Sequence, residues 1–104
     1  MSWFFLLLAG LLEVVWAYYL KKSDGFTNPV PTLITVVGMG LSFWFLSLSL
    51  KTLPFSIAYA VWTGIGIIGT AILGMTLLGE EVDYLKIFCI CLILAGIFGL
   101  KIIY

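Results

Sequence analysis

Four long apolar runs, divided by three short polar breaks, leave this chain few ways to fold. Lys21-Lys22-Ser23-Asp24-Gly25 ends the first run, and Asn28-Pro29-Val30-Pro31 precedes the second. Lys51-Thr52-Leu53-Pro54 and Gly79-Glu80-Glu81-Val82-Asp83 make the other two breaks. The runs cover about residues 3–20, 32–50, 55–78 and 84–103. A helix needs about 20 mostly apolar residues to cross a bilayer core. Lys86 and Lys101 shorten the uncharged centre of the fourth run, but both can snorkel toward the headgroups. The runs lack period-two alternation and are too few for a membrane barrel. The sequence therefore predicts an all-α integral membrane protein: one domain, residues 1–104, with four transmembrane helices. Breaks this short force neighbouring helices antiparallel.

Composition agrees. Of 104 residues, 63% are hydrophobic and 10% charged, outside the range of a soluble domain. The formal net charge is zero, which removes nucleic acid as an expected partner and leaves the lipid bilayer. Cys89 and Cys91 lie two apart; on a helix they point about 200° from one another, so they neither share a metal nor pair. They read as small core thiols. No metal or haem motif is visible, and no cofactor is expected. The first run has no basic leader, no small-x-small cleavage site before Lys21, and an acid in its middle. It reads as a mature span rather than a signal peptide.

That acid is Glu13, the one charge between Met1 and Leu20. A charged side chain at mid-bilayer costs roughly 3 kcal/mol or more. It can lower this cost by taking a proton or by holding a cation. No Lys lies at matching depth in any run, and the chain has no Arg. Together the two options suggest exchange of protons for a cation. No nucleophile–base constellation is visible, so a transporter is expected rather than an enzyme.

Helical spacing puts Leu6, Ala9, Gly10, Glu13, Trp16, Ala17 and Leu20 on one face. Gly10, one turn before the acid, leaves room for a helix or ligand. Trp16, one turn after it, carries an indole N–H that can fix the carboxylate, or else serves as an interfacial anchor. In the second run Ser42 has Gly38 one turn earlier; its hydroxyl can bond the carboxylate or its own helix. In the third run Phe55, Tyr59, Trp62, Gly66 and Gly69 share a face. Tyr59 and Trp62 can stack on a cation, or pack as core. Gly64 and Gly66 allow a hinge, close packing, or both. In the fourth run Leu92, Ala95, Gly96 and Gly99 form a stripe suited to dimer contact. Glu80, Glu81 and Asp83 read as solvated loop acids.

Four small helices leave little room for a closed water-filled path, and Glu13 has no partner. Both point to an oligomer, a dimer being the smallest. Lys51 and Lys101 fall on one side, Lys21, Lys22 and Lys86 on the other, so the positive-inside rule fixes no orientation. Either unseen cues fix one, or chains insert both ways and pair head to tail, as inverted repeats do.

At this point a family resemblance is clear. Glu13, Lys22-Ser23-Asp24-Gly25-Phe26-Thr27 and Ala58-Tyr59-Ala60-Val61-Trp62-Thr63-Gly64-Ile65-Gly66 resemble the small multidrug resistance transporters over essentially the full length. Glu13-Val14-Val15-Trp16, Trp62-Thr63-Gly64-Ile65-Gly66 and Gly99-Leu100-Lys101 look most like the guanidinium exporter branch. The resemblance implies a bacterial inner-membrane antiporter, a dual-topology antiparallel homodimer exchanging protons for guanidinium. It implies that Glu13 from both subunits binds proton or substrate. It places Gly10, Trp16, Ser42, Tyr59 and Trp62 along the site and Gly64 and Gly66 at the hinge. Other expectations remain open: an exporter of hydrophobic quaternary ammonium ions, one subunit of a heterodimeric pair, or a non-transporting subunit in which Glu13 only joins helices.

Overall fold

The computed structural model describes residues 1–103; Tyr104, the last residue of the expected domain, lies outside them. Four helices follow one another: α1 (Ser2–Lys22), α2 (Pro29–Ser49), α3 (Phe55–Thr76) and α4 (Tyr84–Ile103). Each is long and apolar enough to cross a membrane. The second begins earlier than its sequence suggests. Pro29 occupies the first helical turn after Asn28, where a missing N–H costs nothing and the fixed φ already suits a helix. Lys21 and Lys22 close the last turn of α1, complementing its dipole.

The α1–α2 connection is tightly built. The buried Ser23 hydroxyl donates to the Leu20 carbonyl (2.6 Å) and accepts from the Phe26 N–H (3.2 Å). Thr27 Oγ1 donates to the Asp24 carbonyl at 2.7 Å. These bonds hold Asp24, Gly25 and Phe26 all at positive φ (50°, 70° and 66°). Only glycine adopts that region freely, so the two flanking residues are kept there by the turn around them. This gives the Lys22–Thr27 segment a structural reason for its composition.

Packing is uneven. The first helix lies against α2 along much of its length and also against α3, whereas α2 and α3 barely meet. The fourth helix packs on α3 alone and contributes no buried residue. The core is small: Leu6, Ala9, Ala58, Val61 and Trp62, where α1 meets α3. The chain measures 41 × 34 × 17 Å. Packed helices lie about 8–10 Å apart axis to axis, so the thin dimension holds at most two layers. The fold is a slab without a closed interior. Cys89 and Cys91 correct the sequence reading: both are exposed on α4 rather than core thiols, because that helix packs so little. Glu80 pairs with Lys86 at 3.1 Å at the head of α4.

Candidate functional site

Glu13 lies near the middle of α1, about 16 Å of helix from Ser2 at 1.5 Å per residue. Its side chain is half-buried and lies directly over Gly66 of α3. A Cβ at position 66 would collide with the Glu13 carboxylate. Gly10, one turn earlier, is covered by Ile65, so the two glycines let α1 and α3 approach at neighbouring points. Gly69 continues the seam against Val14. Gly64 faces the other way and is covered by Ile97 and Ile93 of α4. Both glycines of the expected hinge are thus close-packing positions, and α3 runs through them as unbroken helix. Among the described residues, the Glu13 carboxylate has neither an ion-pair partner nor a side-chain donor.

A buried polar knot sits one turn below it. Ser42 Oγ of α2 donates to the Ala9 carbonyl at 2.7 Å. Trp62 Nε1 of α3 donates to Ser42 Oγ at 3.0 Å and to the same carbonyl at 3.3 Å. In an α-helix the Ala9 carbonyl also receives the Glu13 N–H. Three helices therefore converge on the peptide that starts the turn carrying the acid. Ser42 bonds neither the carboxylate nor its own helix; the third option, a carbonyl of α1, is the one realised. Ala9 is absent from the site the sequence suggests because a backbone acceptor has no letter. Its position one turn before Glu13, on the same face, was the available signal.

Trp16 departs from expectation. Its Cβ packs close over Gly38 of α2, and its indole N–H is buried without an acceptor. It does not hold the carboxylate. Thr63 Oγ1 on α3 is likewise buried and unpaired. Tyr59 keeps half its surface exposed, and its ring centroid lies 5.5 Å from that of Trp62, itself 5.7 Å from Phe43. Phe55 adds a further ring 6.0 Å from Tyr59. Trp62 is only 7% exposed, so within one chain Tyr59 is the open end of this aromatic row. Leu92, Ala95 and Gly96 face outward on α4, away from the acid, and open space surrounds Gly96 and Gly99. Gly66 thus lies against Glu13, Ser42 and Trp62 meet one turn away at the Ala9 carbonyl, and most of the α4 stripe is exposed.

Four bilayer-length helices, a slab-like fold and a half-buried mid-span carboxylate define a small multi-pass membrane protein built around an intramembrane acid. The sequence model of the Small Multidrug Resistance protein family matches residues 1–93. A guanidinium exporter of Yersinia pseudotuberculosis is 54% identical over 102 residues, 98% of each chain. Proteins of the same name from Citrobacter freundii and Salmonella typhi are 53% and 52% identical over 98% of this chain and 97% of their own. The chain belongs to the small multidrug resistance protein family.

Proposed function

We propose that this protein exports guanidinium ion in exchange for protons, as an antiparallel pair of identical chains in a bacterial inner membrane. The observation that carries the reading is Glu13, laid over Gly66 at mid-span with no counter-charge among the described residues. The names of relatives at 52–54% identity support the choice of ion. The slab shape supports a pair, since a second slab facing the first encloses both acids.

In such a pair two carboxylates share a low-dielectric space and cannot both stay ionised and empty. Protons fill the site in one phase. A flat cation with paired N–H donors fills it in the other, bonding both carboxylates bidentately. Exclusive occupancy couples the two fluxes. Tyr59 and Trp62 offer ring faces to the cation. The Trp62 N–H is already committed to the Ser42–Ala9 knot, which keeps the carboxylates as the directional acceptors. Gly64 and Gly66 serve as the flexible points at which α3 bends between facings, and the α4 stripe of Leu92, Ala95, Gly96 and Gly99 joins the chains.

Guanidinium needs the ionised pair, so its affinity falls as pH falls, by about ten-fold per unit for each proton displaced once the carboxylates titrate. Glu13→Gln removes both proton site and ligand. In liposomes, guanidinium-driven proton movement should vanish in that variant while the chains still assemble. Sustained coupled exchange by Glu13→Gln would overturn the proposal. The row of Phe55, Tyr59, Trp62 and Phe43 gives one specific reason to consider greasier cations. Uptake of a tetraalkylammonium ion in preference to guanidinium would favour that second reading.

A further inference from the structure

The gap between α1 and α4 is a feature that the site around Glu13 leaves unused. The fourth helix leans on α3 without packing along α1, leaving a V-shaped groove. Ile65 and Ile72 of α3 form its floor, Leu7 and Val14 of α1 one wall, and Leu94 and Phe98 of α4 the other. It opens as two continuous cavities of about 400 and 270 Å³ that share Leu7, Ile65, Ile97 and Phe98. Every lining side chain along its length is apolar until its end, where Lys101 and Trp3 stand together. There the Lys101 ammonium lies 5.1 Å above the Trp3 ring.

We infer that this groove holds one acyl chain of an anionic phospholipid, with the headgroup phosphate on Lys101. Length supports the match. From Trp3 to Val14 on α1, and from Val61 to Ile72 on α3, the groove follows about 16 Å of helix at 1.5 Å per residue. Half of a bilayer core about 30 Å thick is about 15 Å. The ends also match in charge. A lysine and an indole at the mouth suit the headgroup level, and the far end contains nothing polar. The stripe of Leu92, Ala95 and Gly96 points away from the groove, so α4 can meet a second chain without filling it. A lipid chain here braces α4 against α1 beyond their contact at Lys101 and Trp3. The inference does not depend on which ion the protein carries.

Native mass spectrometry of the delipidated, detergent-purified protein tests it, with phosphatidylglycerol and phosphatidylcholine of identical chains as probes. The unaltered protein should retain the anionic lipid roughly five-fold more, the effect of one lysine at an anionic headgroup. Lys101→Gln should bring the two lipids to parity. Leu94→Trp, which fills the groove and leaves Lys101 in place, should reduce retention of both by a similar factor. Equal retention by the unaltered protein would overturn the inference, as would a preference that survives Lys101→Gln. With Cys89 and Cys91 replaced by alanine, efficient disulfide cross-linking of Leu94→Cys between two copies would overturn it too, since a second chain would then cover the groove.

Discussion

Glu13 and Gly66 act as one unit, because the acid can lie where it does only while position 66 has no side chain. Gly66→Ala and Gly10→Ala therefore separate two effects. A methyl at 66 meets the far end of a flexible side chain, so the carboxylate swings away and the helices stay together. Guanidinium affinity should drop roughly ten-fold or more, matching the ~1–3 kcal/mol cost of an added methyl in filled space, while assembly persists. A methyl at 10 meets the Cβ of Ile65, at 2.7 Å, which is anchored to the α3 backbone. There α1 and α3 must part, and stability should fall by about 1–3 kcal/mol. Isothermal titration and thermal denaturation in detergent distinguish the two; unaltered guanidinium affinity in Gly66→Ala removes the steric account. Glu13 itself was legible in the sequence, being a lone charge in an apolar run. Its neighbours were half legible. Spacing aligned Gly10 with the acid, and Ser42 and Trp62 stood out as polar groups at depth. Their meeting at the Ala9 carbonyl was not readable, because backbone acceptors are the same in every residue.

Among the helices, α4 is the least tied to its own chain. It rests on α3 through Ile93 and Ile97 over Gly64, and none of its residues is buried. An apolar helix with open space around Gly96 and Gly99 is best stabilised by close contact with another helix. Gly96→Phe should leave the fold of the single chain intact, since position 96 is exposed and a Cβ there meets nothing within 4 Å among the described residues. It should weaken pairing by about ten-fold or more, the equivalent of ~1.4 kcal/mol. Energy transfer between labelled copies in detergent reads the change; undiminished pairing would remove α4 as the joining surface. The four helices were legible because long apolar runs and polar breaks mark them directly. The start of α2 was missed since Pro29 and Pro31 read as a break, yet proline fits a first helical turn. The exposed cysteines were missed for a deeper reason. Helices that are apolar on every side do not reveal in their pattern which face meets protein and which meets lipid.

For the whole molecule, 17 Å at its thinnest, the proposed pairing of two chains makes the placement of the lysines a test. Lys51 and Lys101 on one side nearly balance Lys21, Lys22 and Lys86 on the other. Balanced loops let both orientations insert, and an antiparallel pair needs both in equal number. Two uncharged, exposed positions report the outcome without disturbing that balance: Asn28 before α2 and Thr52 before α3. With Cys89 and Cys91 replaced by alanine, Asn28→Cys and Thr52→Cys should each be labelled to about half by an impermeant thiol reagent on sealed vesicles. Full labelling at one and none at the other would mean a single orientation and would end the antiparallel account. A further Lys at position 28, paired with the Thr52→Cys reporter, should push labelling well away from half and depress transport in parallel. Orientation and activity then move together, because each antiparallel pair draws one chain from each population and the scarcer orientation limits how many pairs can form.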